Sequence, residues 1–237
     1  MKIPYSLLLS FFFVQMGLSQ GNDYPKNQDF ESWTAGKLRM KLNKTWSIDL
    51  ENQLRFKTNL TEYDRFFSQL NTQYKIDGFE YGGGFRYLQL NDNVGNKQGA
   101  ENHFRFHLDF GYELDADRCL YKVRIRLQHR NELGLSKHEG DYPSKDLRVK
   151  ASFKYNFRNW KFDPRMSWEV FRHYQTGALN GFNKYRLTFG TSYKINKEQR
   201  LALSYVQEKQ LVYWNPKVTR ILLVSYLYTI KMSKKDK

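Results

Sequence analysis

Along residues 103–114, HFRFHLDFGYEL, apolar and polar positions alternate without a break. Phe104, Phe106, Leu108, Phe110, Tyr112 and Leu114 share one parity; His103, Arg105, His107, Asp109, Gly111 and Glu113 share the other. A period of two is the signature of a β-strand, whose successive side chains point to opposite faces. The pattern recurs at 45–57, 119–130, 146–155 and 185–195, with weaker forms at 33–42, 65–76, 79–90, 163–173, 200–208 and 219–230. That makes eleven candidate strands, most about the 9–11 residues that a tilted membrane strand needs.

The connections decide which face is inside. Short ones (Asn43-Lys44, Asp77-Gly78, Asp115 to Asp117, Phe157 to Lys161, Asn196 to Glu198) alternate with longer ones at 58–64, 91–101, 131–145, 174–184 and 209–218. Tight periplasmic turns interleaved with longer outer loops are the habit of an outer-membrane barrel, and a soluble sandwich has no reason for such order. Asp77-Gly78 is a strong hairpin-turn signal. Trp46, Phe56, Tyr112, Tyr155, Tyr185 and Tyr193 lie near strand ends, where interfacial aromatic girdles form. The expected fold is therefore all-β: a transmembrane, antiparallel, up-and-down barrel, with Phe104, Phe106, Leu108 and Phe110 facing lipid and His103, Arg105, His107 and Asp109 facing a polar lumen. Single-chain bacterial barrels usually have an even strand number with both ends in the periplasm. Eleven breaks that parity. Twelve strands are expected, the twelfth within residues 21–32, with ten as the alternative should 33–42 not form a full wall strand.

Composition fits this picture. Mean hydropathy is −0.76, which is uninformative for a wall that is apolar only on alternate residues. The N-terminus reads as an export signal: Lys2, then the apolar run LLLSFFFV (Leu7 to Val14), then small residues at Gly17-Leu18-Ser19, with cleavage before Gln20. Residues 1–19 are thus expected to be a signal peptide and 20–237 a single barrel domain in the outer membrane of a Gram-negative bacterium. Cys119 is the one cysteine, so no internal disulfide can form and no lipoprotein cysteine stands at the expected first mature position.

The sequence also resembles a known family. The segments IDLENQLRF (Ile48 to Phe56, preceded by Trp33), YDRFFSQL (Tyr63 to Leu70), GGFRYL (Gly83 to Leu88), RIRLQHRNE (Arg124 to Glu132), RMSWEVF (Arg165 to Phe171) and NKYRLTFG (Asn183 to Gly190) follow one another as in the uncharacterised bacterial outer-membrane barrels grouped as domain of unknown function 2490. The resemblance covers nearly the whole mature chain. It implies a barrel and an outer-membrane location, and it implies no activity.

The lumen is where chemistry could sit. His103 and His107 project the same way from one strand, and with a third ligand they could hold a metal. A serine near them would suggest a lipid-hydrolysing triad, yet only Ser68 and Ser152 offer themselves, with no motif around them. The simpler reading is a charge network, so no catalytic, metal or cofactor site and no enzymatic activity are expected. No Gly-rich phosphate loop is present; Gly82-Gly83-Gly84 lies inside a strand and eases curvature or close packing.

Charge is more telling. The chain carries 39 Lys and Arg against 24 Asp and Glu, a formal net charge of +15. The lumen network is expected to include Glu51, Arg55, Arg65, Arg86, Arg105, Asp109, Arg124, Arg126, Arg148, Glu169 and Arg186. Arg105, Lys122, Arg124, Arg126 and Arg148 come from neighbouring strands, and Asp109 and Glu113 can neutralise only some of them. Two readings follow: a packed lattice of ion pairs, with function carried by the outer loops, or a narrow pore favouring small anions. Expected partners are outer-membrane lipid, lipopolysaccharide phosphates near Lys97, Lys137, Lys145 and Lys184, the barrel-assembly machinery and small anionic solutes. Nucleic acid is not expected, because the basic residues alternate into an enclosed wall.

Overall fold

The computed structural model describes residues 27–92, 98–134, 143–158, 160–174, 180–212 and 215–232. The expected signal peptide, residues 93–97 of the 91–101 loop and 135–142 of the 131–145 loop, and with them Lys97 and Lys137, lie outside them. Every regular element among the described residues is a strand: β1 (Gln28–Lys41), β2 (Trp46–Lys57), β3 (Glu62–Ile76), β4 (Phe79–Asp92), β5 (Gly99–Ala116), β6 (Cys119–Glu132), β7 (Ser144–Tyr155), β8 (Phe162–Tyr174), β9 (Gly181–Lys194), β10 (Gln199–Gln210) and β11 (Val218–Lys231). Each pairs with its sequence neighbours, and β1 pairs with β11 to close a barrel.

Among the described residues the strands number eleven, which corrects the expected twelve and the alternative ten. Residues 28–32, the end of the stretch expected to hide a strand, are instead the first part of β1, which runs on through 33–41 as one strand. Ten neighbouring pairs are antiparallel; the closing pair is parallel, in unbroken register from Gln28↔Val218 to Lys41↔Lys231. A parallel ladder has slanted bonds but leaves no free edge, so closure does not demand an even count. One consequence is that Gln28 lies at the long-loop rim and Lys231 at the short-turn rim, not both at the same rim.

The alternation places the faces as its period requires. Leu108 and Leu127 are 62% and 55% exposed, whereas His107 and Arg126 beside them are 1% and 7%. Exposed apolar residues continue around the wall through Phe85, Tyr121, Trp168, Phe189, Leu203 and Tyr226. A monomeric soluble protein seldom exposes contiguous apolar surface on this scale. Aromatic rings link up at the short-turn rim: Trp46 with Tyr74, Phe79 with Tyr112, Tyr121 with Phe153, and a run through Tyr155, Phe157, Trp160, Phe162 and Tyr193.

Turn chemistry follows the sequence. Asp77 and Gly78 both have positive φ (47° and 83°), as a two-residue hairpin turn of the favoured hand requires. A Cβ at Gly78 would stand 2.8 Å from the Glu113 carbonyl oxygen. The connection expected at 58–64 is shorter than that, because β3 starts at Glu62; Thr58, Asn59 and Leu60 make the bend with positive φ. Gly84 serves close packing, since a Cβ there would collide with the Leu70 carbonyl and Asn71.

One sector of the lumen is apolar. Trp33, Val206 and Ile221, with Leu223 against them, form a small buried cluster on β1, β10 and β11. The remaining strands turn charge inward.

Candidate functional site

Inward side chains surround a cavity of about 580 Å³. Glu51, Arg55, Arg65, Arg86, Arg105, Asp109, Arg124, Arg126, Arg148, Glu169 and Arg186, the residues expected as a lumen network, all line it. How they are paired divides the lumen into distinct zones.

Toward the short-turn rim the charges are matched. Asp49 receives Arg39 Nε at 2.7 Å and Lys37 Nζ at 2.8 Å. Lys75 pairs with Glu113, and Lys122 with Glu80. Asp163 lies 2.9 Å from Lys154 and 3.3 Å from Lys194. Adjacent strands present opposite charges here, as in Lys37↔Glu51 and Arg39↔Asp49.

Midway up β8, Glu169 gathers three arginines. Its Oε1 accepts from Arg124 Nη2 at 3.1 Å and from Arg148 Nη2 at 2.8 Å, and its Oε2 lies 3.5 Å from Arg186 Nη1. The Glu169 side chain is 3% exposed. Beside it, Glu208 binds Arg186 Nη2 at 2.5 Å and Lys184 Nζ at 2.9 Å. Asp109 holds Arg126 through both carboxylate oxygens at 2.6 Å.

Across the lumen, on β2 to β5, the arrangement differs. Gln69 Oε1 accepts from Arg86 Nε at 2.6 Å and from Arg105 Nη2 at 3.3 Å. The Arg86 guanidinium lies over Phe67, 3.4 Å from the ring centroid, and that of Arg55 over Trp33 at 3.6 Å. Among the described residues, Arg55, Arg86, Arg105, Arg130 and Lys150 have no carboxylate oxygen within the 4.0 Å of an ion pair. Several of them face like charges across the ladder: Arg55↔Arg65, Arg86↔Arg105, Arg105↔Arg130 and Arg124↔Lys150, to which Arg126↔Arg148 adds a fifth pair. Like charges directly opposite destabilise a sheet.

This redistributes the surplus expected from sequence. Of Arg105, Lys122, Arg124, Arg126 and Arg148, only Arg105 lacks a carboxylate. Lys122 is taken by Glu80, Arg126 by Asp109, and Arg124 and Arg148 by Glu169. The histidines are not brought together either. His103 Nε2 lies 3.0 Å from Glu101 Oε2, and with Glu132 these two form a group of metal-capable donors that His107 does not join. His107 is buried with both ring nitrogens unpartnered. Ser68 and Ser152 stay apart from the histidines: Ser68 faces Tyr87 and Asn52 in the ladders, and Ser152 donates to the Lys122 carbonyl. Lys184, expected on a loop, belongs to β9 and points inward to Glu208; Lys145 is exposed at the start of β7.

Sequence reasoning passed over Gln69, Phe67, Trp33, Phe171 and Glu208. Parity from Arg65 alone would have put Phe67 and Gln69 inside, but an apolar Phe67 on the inner face and a polar Ser68 on the outer blur the β3 pattern. Glu208 sits on a strand whose buried positions are Ala202, Ser204 and Val206, so alternation there gives little signal.

The fold has relatives among solved structures. The NanC porin is 11% identical, with a TM-score of 0.51; the alignment covers 85% of this chain and 99% of that one. A loop-deletion mutant of OmpT, an outer membrane protein of Vibrio cholerae, is 9% identical, with a TM-score of 0.43, over 71% of this chain and 55% of that one. At this identity the NanC likeness concerns the fold: an outer-membrane type of barrel similar to a porin. No curated protein matches the sequence. Residues 30–212 match the family described as "Protein of unknown function (DUF2490)", most of the barrel from β1 to β10, and the chain belongs to that family.

Proposed function

We propose that this chain sits in the outer membrane of a Gram-negative bacterium as a narrow pore that favours small anions, without enzymatic activity. The observation that carries the reading is the group of cations without carboxylate partners (Arg55, Arg86, Arg105, Arg130 and Lys150) lining one cavity. Uncompensated charge of one sign in a confined aqueous passage attracts counter-ions and repels co-ions. The matched charges nearer the short-turn rim leave that excess in place, because they cancel one another. The exposed apolar wall and the aromatic rim support a lipid environment. Outward-facing Lys145, Arg172, Lys209 and Arg220 stand near the long-loop rim of β7, β8, β10 and β11, where headgroup phosphates would meet them.

Planar-bilayer recording of the purified full chain in a potassium chloride gradient tests this directly. The reversal potential is expected to have the sign of chloride permeation. Cation selectivity, or absence of conductance steps, overturns the pore reading.

A further inference from the structure

Arg55, Arg86 and Arg105 come from three nearby strands, β2, β4 and β5, and none meets a carboxylate among the described residues. The strand between the first two supplies Phe67 and Gln69. The aromatic faces of Trp33 and Phe67 fix the planes of the Arg55 and Arg86 guanidiniums. Arg105 is 8% exposed, and its Nε is buried without a partner. Gln69 is 3% exposed; its single carbonyl oxygen is the one acceptor that Arg86 and Arg105 share, while its amide nitrogen donates to Asn71 Oδ1 at 2.7 Å. The nearby carboxylate Glu51, paired with Gln69 across β2 and β3, forms its ion pair with Lys37 at 3.9 Å.

Each guanidinium carries five N–H donors in a planar fork. Two of these forks, Arg86 and Arg105, meet at the Gln69 amide oxygen, while Arg55, 5.5 Å from the Phe67 ring that also carries Arg86, spends its Nε on Gln53 Oε1 at 2.7 Å. Most of the donors stay unused, in a place where an unmet buried donor costs free energy. Chloride offers one charge and no directional lone-pair array. A carboxylate saturates one fork in bidentate fashion. A phosphate group offers three strong acceptor oxygens and close to two negative charges near neutral pH, which matches three converging forks. We propose that Arg55, Arg86 and Arg105, gathered around Phe67 and Gln69, form a binding site for a phosphate group.

This deepens the pore reading and relies on it only for the entry of water and solute into the lumen. Calorimetric titration of the folded full chain in detergent with inorganic phosphate, against succinate as a dicarboxylate, tests the site without reference to conductance. Phosphate is expected to bind more tightly than succinate. Arg86→Gln and Arg105→Gln should each weaken it roughly tenfold, the value of one lost charged hydrogen bond. Gln69→Glu is the sharper variant. It is nearly isosteric and sets a carboxylate among the same guanidiniums, so it should abolish phosphate binding while the barrel keeps its heat-modifiable gel mobility. Phosphate binding that survives Gln69→Glu, absence of binding to the unmodified chain, or succinate binding equal to phosphate each overturns the assignment. Binding without conductance upholds the site and sinks the pore; anion-selective conductance without phosphate binding does the reverse.

Discussion

Glu169 and Gln69 stand midway along β8 and β3, on opposite sides of the barrel. Each is a buried side chain on which arginines from neighbouring strands converge. Glu169 is charged, and it pairs with Arg124, Arg148 and Arg186 in place, with Glu208 sharing Arg186. Gln69 is its neutral counterpart, and Arg86 and Arg105 remain uncompensated. One barrel thus contains both arrangements that a cationic lumen can adopt: a closed lattice around an internal anion, and an open cluster without one. One change of terminal group, carboxylate against carboxamide, separates scaffold from candidate site.

The comparison predicts unequal costs. Glu169→Gln removes the negative charge shared by three guanidiniums that are largely out of water. Breaking a buried ion pair by deleting one partner typically costs about 3–5 kcal/mol, because the remaining charge is left unmatched. Urea titration of refolding into lipid vesicles should show a loss of that order, and the variant should acquire a second phosphate site. A loss under about 1 kcal/mol, as for solvent-exposed pairs, would show that the Glu169 cluster is wet and that the two regions do not differ in kind.

Exchanging the two residues sharpens the same contrast. The double variant Gln69→Glu with Glu169→Gln keeps the lumen's net charge and moves the carboxylate from β8 to β3. The two positions share no hydrogen-bond partner, so their effects should add to within about 0.3–0.5 kcal/mol, and part of the Glu169→Gln loss should return as Arg86 and Arg105 gain a counter-charge. Phosphate binding measured by calorimetry should persist, now weakened by Arg148→Gln and insensitive to Arg105→Gln. A double variant whose binding still responds to Arg105→Gln would break the equivalence of the two clusters.

Little of this contrast can be read from the sequence, and the reason is physical. Alternation fixes which face a residue takes, so β5 and β6, with apolar and charged residues on strictly opposite parities, declare Arg105, Asp109, Arg124 and Arg126 as inward. Pairing depends on register, which a period of two leaves free. That Arg126 lies opposite Asp109 while Arg105 lies opposite Arg86 and Arg130 follows from how the strands slide, and no local pattern encodes the slide. β10 and β11 are harder still, since Val206, Ile221 and Leu223 put apolar residues on the inner face as well, and the alternation fades. Strand number is hidden for a related reason: an even count follows only where every neighbouring pair is antiparallel, and β1 closes on β11 in parallel. Composition did announce a cationic excess. It could not say that Glu169 quenches one part of that excess and that another part stays open.

The smallest expected effect concerns what replaces a counter-ion in the open cluster. Arg86 lies 3.4 Å and Arg55 5.5 Å from the Phe67 ring centroid, and Phe67 is 1% exposed. A desolvated cation over an aromatic face gains roughly 0.5–2 kcal/mol from the ring quadrupole, less than a carboxylate would give, but without using any N–H donor. The ring can therefore hold a guanidinium in plane while leaving its edge for a ligand, which Glu169 cannot do for its own arginines. Phe67→Leu keeps most of the apolar volume and removes the quadrupole. Stability in the same urea titration should fall by about 0.5–2 kcal/mol, and phosphate affinity should fall with it, because Arg86 would be free to swing away from Gln69. Loss of stability with unchanged phosphate affinity would make Phe67 a filler of the wall, and the difference between the two clusters would then rest on Gln69 alone.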